Sequence, residues 1–293
     1  MAEAAASGEA AAKRRNLVLR LVSAFGILPF IIWLVILGGW PFSALVATVI
    51  GMATREIYAM SLGGPTVTAR PAPVPAIGWL GVALAVGLPF LAPLGLVWQA
   101  VPMVLVGFLL VSSGVEVFTS GDLVAGAGDV PRLLFGFVYG SVLLSCLGLV
   151  RQFPNGAWWV LLACTVSWGN DTGGYFFGRA FGKHKLHPRV SPGKTWEGFF
   201  GGMVTTIGFT FIVRFLGMPE LTPLDCVLIA VPASLLGPLG DLSESLLKRA
   251  YGVKDSGVFM PGHGGMLDRI DALIFNAPFV YFYAVVAKGM PWR

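Results

Sequence analysis

Apolar runs close to 20 residues long dominate the chain, and they decide most of what it can fold into. About 20 apolar residues wound as a helix span the hydrocarbon core of a bilayer. Inside that core only helices and closed barrels satisfy every backbone polar group. The runs are continuous rather than alternating, which argues against a membrane β-barrel. They fall at roughly 17–37, 42–62, 76–93, 96–112, 132–150, 157–177, 198–217, 224–246 and 271–289. The expected fold is all-α, a polytopic integral membrane bundle of about nine transmembrane helices. Pro89, Pro93 and Pro102 interrupt the third and fourth runs, which read either as two crossings or as one re-entrant pair. Charged residues are 12% of the chain and mean hydropathy is +0.78. Soluble domains carry about 25% charged residues, so no separate soluble core is expected.

Residues 1–16 read as a disordered tail, 17–150 as an N-terminal membrane region and 151–293 as the C-terminal region that carries the chemistry. Lys13, Arg14 and Arg15 precede the first run in the order of a signal peptide. The run is too long for a secretory h-region and is read as a retained membrane helix. Gly63, Gly64 and Pro65, with Pro71 to Pro75, mark a loop, and 113–131 reads as a polar connection. A cytoplasmic N-terminus puts sixteen of the 20 Lys and Arg on the inside, leaving Arg151, Arg214, Lys288 and Arg293 outside. The net charge of +5 then reflects this bias and anionic lipids or substrates, with no nucleic acid as partner. Cys146, Cys164 and Cys226 lie in apolar runs without metal-binding spacing and read as small buried hydrophobes. Arg55-Glu56, at the end of the second run, is open to two readings. It is a local ion pair, or a lock between that helix and the C-terminal bundle.

Two polar islands interrupt the apolar background, Asp171–Glu197 and Gly240–Asp271. They hold 16 of the 35 charged residues and all three histidines. Ionisable groups in a membrane setting are expensive, so their concentration points to a site. Two apolar runs separate the islands, which places both on one side of the membrane.

Asp241, Glu244 and Lys248 are spaced three and four apart, hence on one helix face. Asp268 and Asp271 stand three apart at the start of the last run. Carboxylates without thiols favour a hard cation, Mg²⁺ before Zn²⁺. The alternative is a salt-bridge cluster of these acids with Arg249, Lys254 and Arg269; Asp255 is the island's fifth acid. The turn Gly262-His263-Gly264-Gly265 precedes a helix, and its amides are placed to receive a phosphate. His263 is then a phosphate contact or a structural hydrogen-bonding group. Ser191-Pro192-Gly193-Lys194-Thr195 reads as a compact phosphate-binding loop, although GxxxxGK[ST] is absent. Glu197 is open to binding a cation, capping the next helix or pairing with a base. Asp171 either pairs with Arg179 or contacts the ligand, because a lone acid in an apolar helix is costly. Lys183, Lys185 and Arg189 serve topology or ligand. No nucleophile–base triad and no HExxH occur. Acids, bases and glycines instead suit phosphoryl or nucleotidyl transfer, where positioning and charge neutralisation dominate.

SLLKRAYGVKDSGVFMPGHGGMLDRID, Ser245 to Asp271, closely resembles the signature of CTP:phosphatidate cytidylyltransferases, the CDP-diacylglycerol synthases. GDLSES, DTGGYFFGRAFGKHKL and SPGKTWEGFFGG also follow that family's order, while Met260 stands where Leu, Ile or Phe is expected. The resemblance implies the reaction CTP + phosphatidate → CDP-diacylglycerol + pyrophosphate, an all-helical membrane fold, and a homodimer. It also implies Mg²⁺, with K⁺ as a possible second cation, held by Asp241, Asp268 and Asp271. Taken with the residue chemistry, it gives Lys194 and Lys248 catalytic roles beside those acids. The substrate contacts expected are Asp171, Arg179, Ser191, Thr195, Glu197, Glu244, Arg249, Lys254, Asp255, His263, Gly264, Gly265 and Arg269. The expected home is a bacterial plasma membrane, with the site facing the cytoplasm. A CTP-dependent lipid kinase and a transporter of phosphorylated solutes are the rival readings.

Overall fold

The computed structural model describes residues 28–62, 75–257 and 264–292. The expected tail, the start of the first run, the loop at 63–74, and Met260, Gly262 and His263 lie outside the described residues. Helix α1 is Leu28–Leu37. It is followed by α2 Gly39–Ser61, α3 Ala76–Gly87, α4 Val97–Thr119, α5 Leu123–Phe137, α6 Leu143–Arg151 and α7 Gly156–Phe181. A hairpin of β1 Lys185–His187 and β2 Ser191–Thr195 leads into α8 Trp196–Gly217, α9 Pro223–Ala250 and α10 Leu267–Lys288. Among the described residues, five helical segments are long and apolar enough to cross a membrane: Val97–Thr119, Leu123–Arg151, Trp196–Gly217, Pro223–Ala250 and Leu267–Lys288.

Two connections differ from expectation. The polar link expected at 113–131 shrinks to three residues, 120–122, between α4 and α5. Two hydroxyls on α4 are satisfied within their own helix, Ser112 Oγ donating to Leu109 O at 3.1 Å and Thr119 Oγ1 to Val115 O at 2.7 Å. Polar residues therefore need not end it. Asp122 starts α5 by accepting from Val124 N at 2.9 Å and Ala125 N at 3.3 Å, a side-chain N-cap. The segment then runs through a π turn, Val138–Val142, into α6. The second difference is Ser191–Thr195, expected as a loop. It is a strand, paired antiparallel with Lys185 opposite Thr195 and His187 opposite Ser191.

Buried Ile57, Tyr58, Phe137, Leu149, Trp159, Ile274 and Tyr281 belong to one core that joins the N- and C-terminal helices. Helix α7 lies along α8, α8 along α9, and α9 along α10. Small residues let the first pair approach: a Cβ added to Gly198 would stand 2.7 Å from Gly174 O. Such contacts are the usual currency of helix packing in lipid.

The end away from the islands is closed by three of the four basic residues that the positive-inside count left over; Arg293 lies outside the described residues. Arg151 Nε donates to Val35 O at 2.6 Å, Arg214 Nε to Leu221 O at 2.6 Å, and Lys288 Nζ to Asp225 Oδ2 at 2.8 Å. Thr222 and Asp225 form a capping box at the start of α9, with Pro223 next. The chain thus returns to one end for both islands.

Candidate active site

At that end the hairpin, the end of α7, the end of α9 and the start of α10 converge. Lys194 on β2 and Asp241 on α9 form an ion pair, Nζ to Oδ2, at 2.7 Å. Asp241 Oδ1 accepts from Ser245 Oγ at 3.3 Å. Asp271 on α10 interacts electrostatically with Asp241, Asp171 and Lys194. Four elements therefore contribute to one charged cluster of three carboxylates and an ammonium. Beside it lies a cavity of about 510 Å³, lined by Asp171, Tyr175, Arg179, Lys194, Thr195 and Asp241 among others. That size is ordinary for a small-molecule pocket.

A second cluster sits deeper. Lys248 Nζ lies between Glu244 Oε2 at 3.1 Å and Asp268 Oδ1 at 2.5 Å. Asp268 Oδ2 accepts from Gly265 N at 2.8 Å, Ser256 N at 3.0 Å and Ser256 Oγ at 2.9 Å. Glu244 and Lys248 are buried, and Glu244 Oε1 has no hydrogen-bond partner among the described residues. A buried ammonium between two carboxylates is held by mutual compensation, since each charge alone would be expensive there.

Glu56 completes this end from a distant part of the chain. It is 5% exposed. Its Oε1 accepts from Met266 N at 2.9 Å, and its Oε2 from Leu267 N at 2.9 Å and Ser256 Oγ at 3.0 Å. The carboxylate thus fills the N-terminus of α10, where orphan amides and the helix dipole favour an anion. Of the two readings of Arg55-Glu56, the lock is the one realised. Arg55 instead lies over the Trp79 ring, 5.9 Å from its centroid.

Several expected contacts fall differently. Arg179 does not reach Asp171, because eight residues of helix separate them by about 12 Å; its Nη1 donates to Tyr175 Oη at 2.9 Å. Lys194 is the cation electrostatically coupled to Asp171. Glu197 pairs with His184, meeting Nδ1 at 2.6 Å and the backbone N at 3.2 Å, and so pins the start of the hairpin. Thr195 Oγ1 caps α8 through Gly198 N at 3.2 Å. Of the glycine turn expected to receive a phosphate, Gly262 and His263 lie outside the described residues, and Gly265 N is taken by Asp268; the next two amides, Met266 N and Leu267 N, are taken by Glu56. Gly264 serves the turn through its φ of +76°. Ser191 faces His187 in the hairpin. Lys254 and Asp255 are exposed on the turn after α9, Arg249 Nη1 donates to Val253 O at 3.4 Å, and Arg269 is exposed on α10.

The expected metal ligands Asp241, Asp268 and Asp271 divide between the two clusters. Among the described residues no group of three or more His, Cys, Asp or Glu is gathered closely enough to cage a metal. Magnesium, however, takes one or two carboxylates and completes its shell with phosphate and water. The all-oxygen donors around Asp241 and Asp271, beside an open cavity and already facing an ammonium, fit that pattern. Glu56 and Ser256 are the residues of this end that sequence reasoning left out of the site. The glutamate in an apolar run was the signal for the first; nothing marked Ser256 among its neighbours.

Comparison with known proteins gives the family. The model of the cytidylyltransferase family matches residues 18–287. The phosphatidate cytidylyltransferase of Bacillus subtilis (strain 168) is 46% identical over 127 residues, 43% of this chain and 47% of that protein. Its counterpart in Haemophilus influenzae Rd is 42% identical over 160 residues, 52% of this chain and 55% of that protein. The phosphatidate cytidylyltransferase of Brucella suis biovar 1 is 32% identical over 267 residues, 80% of this chain and 94% of that protein. The first two matches span about half the length of those relatives; the third runs nearly end to end. With the family model covering most of its length, the chain belongs to the cytidylyltransferase family.

Proposed function

We propose that the chain catalyses CTP + phosphatidate → CDP-diacylglycerol + pyrophosphate at the bundle end where Lys194 meets Asp241. The observation that carries this reading is that 2.7 Å contact, which brings both polar islands to one cavity. The names of the three relatives support the substrate pair.

A phosphate oxygen of phosphatidate attacks the α-phosphorus of CTP. The new O–P bond forms as the bond to the β-phosphate oxygen breaks, and pyrophosphate leaves with that electron pair. The attacking oxygen is already anionic, so no strong general base is required. Lys194 and Arg179, on the cavity wall, orient phosphates. Lys248, buried between Glu244 and Asp268, fixes the start of α10 and balances the negative field. We assign Mg²⁺ to Asp241 and Asp271, with Asp268 fixing the helix end that carries Asp271; the ion would supply neutralisation of the triphosphate and stabilisation of the pyrophosphate leaving group.

The distribution of basic residues and the apolar runs support a wider reading. The island end faces the cytoplasm, the N-terminus lies on that side, and about nine helices cross a bacterial plasma membrane. A homodimer and a K⁺ ion beside the magnesium complete it. The test is product identity. Purified protein in mixed micelles with phosphatidate, CTP and Mg²⁺ is expected to form CDP-diacylglycerol and pyrophosphate in equal amounts, by mass spectrometry and a coupled pyrophosphate assay. A phosphorylated lipid with CDP as co-product would identify a kinase and overturn the reading.

A further inference from the structure

We propose that Glu56 is a positioning residue for the catalytic end of α10, acting through Ser256 and the helix N-terminus on Asp268. The inference rests on the functional reading above, in which Asp268 and Asp271 serve the reaction.

Glu56 and Asp268 lie more than two hundred residues apart, yet they share a partner. Ser256 Oγ is 3.0 Å from Glu56 Oε2 and 2.9 Å from Asp268 Oδ2. Glu56 also takes the amides of Met266 and Leu267, while Asp268 takes those of Gly265 and Ser256. Two carboxylates therefore divide the amides at the start of α10, and the single hydroxyl proton of Ser256 lies between them, so a shift of either changes what Ser256 offers the other. The segment around them is cut to fit. A Cβ on Gly257 would stand 2.6 Å from Glu56 Oε1, and one on Gly265 2.7 Å from Glu56 Cδ. Both glycines thus leave the room that the Glu56 side chain occupies. A helix N-terminus placed in a nucleotide-transfer site would ordinarily bind phosphate. Here the protein's own buried carboxylate fills it, so the phosphates are left to Lys194 and Arg179, and the helix end becomes a fixed mount for Asp268 and Asp271.

Position matters because carboxylates that meet a cation need their orientation set by neighbours; loss of such a neighbour typically costs about 10- to 100-fold in affinity or activity. Glu56→Gln keeps shape but presents an amide NH₂ to backbone N–H donors, so one hydrogen bond must be lost. The test uses the full chain in detergent micelles with CTP, phosphatidate and Mg²⁺. Amide hydrogen exchange is read without substrate over peptides covering 264–271 and, as an internal control, α8. The expected result is a folded, monodisperse E56Q protein whose kcat falls about 10- to 100-fold. KM for CTP changes little, the Mg²⁺ needed for half-activation rises, and exchange at 264–271 quickens while α8 is unchanged. If E56Q does not fold, Ser256→Ala is measured the same way and is expected to lower kcat about tenfold with the same local exchange signature. Wild-type kcat with wild-type exchange at 264–271 in a folded variant overturns the proposal, as does a loss confined to KM. Wild-type protein that transfers no cytidylyl group refutes the functional reading instead, and the exchange comparison still decides whether Glu56 holds the end of α10.

Discussion

The ammonium of Lys194 lies 2.7 Å from Asp241 Oδ2, and that pair joins a hairpin between α7 and α8 to the far end of α9. Its partners line the same cavity. In the resting protein each neutralises the other; in the reaction proposed here both turn to the triphosphate and its cation. Lys194→Met is therefore expected to lower kcat/KM for CTP about 100-fold, the scale of one lost charge-stabilising donor. Asp241→Asn is expected to lower it about 1,000-fold. Because they act as a unit, K194M combined with D241N should cost no more than D241N alone. Steady-state kinetics on the double-mutant cycle checks this, and simple additivity would count against a shared role.

Lys248 predicts an asymmetry between folding and catalysis. It is the one ammonium between buried Glu244 and Asp268 in the contacts seen at this end. Lys248→Met leaves the Glu244 carboxylate buried without its cation and removes one partner of half-buried Asp268, a loss of about 3–5 kcal/mol. Asp268→Asn leaves the Glu244–Lys248 pair in place and keeps an oxygen acceptor for Ser256 or Gly265. The K248M protein is expected to melt far below wild type in detergent, and D268N to melt near it while turning over no substrate. A fully active D268N enzyme would remove Asp268 from the site.

The hairpin offers a test that does not depend on activity. Glu197 holds both the backbone N–H and the ring of His184. Glu197→Ala should free residues 183–195 and hasten tryptic cleavage at Lys183, Lys185 and Arg189 relative to the rest of the chain. Peptide mapping by mass spectrometry reads the result; unchanged cleavage would mean that β1 and β2 hold without this contact.

The α7–α8 seam makes a packing prediction. An added methyl at Gly198 meets Gly174 O at 2.7 Å, and backbone on both sides cannot yield as a side chain would. Gly198→Ala is expected to cost about 1–3 kcal/mol, seen as a lower melting temperature, and to enlarge the cavity mouth between Thr195 and Asp171. Since Thr195 caps α8 only three residues earlier, KM for substrate should rise as well.

Much of this was legible in the chain. The apolar runs and their spacing place most helices, and the even number of runs between the islands brings both to one end, where Lys194 meets Asp241. Part of what escaped was decided by contacts distant in sequence. Glu56 could be seen as an acid in an apolar helix, but the amides of Met266 and Leu267 that claim it lie 210 and 211 residues away. The glycine turn reads as a phosphate cradle, but Gly265 N at its end meets the carboxylate of Asp268, and the amides of Met266 and Leu267 beyond it meet that of Glu56 from α2. Helices α4 and α5 proved longer than the hydropathy of 113–131 suggests because Ser112 and Thr119 return their hydroxyls to their own helix and Asp122 supplies a cap. The Arg179–Asp171 pairing failed on helical rise alone.

Position of label tests the function most directly. Purified chain, phosphatidate micelles and Mg²⁺ are supplied in parallel with CTP labelled at the α- or the γ-phosphate, each with and without EDTA. Cytidylyl transfer at the Lys194–Asp241 site predicts α-label in the lipid phase, none from γ-label, and loss of the signal when metal is chelated. Lipid carrying γ-label, or α-label transfer that survives EDTA, would contradict it.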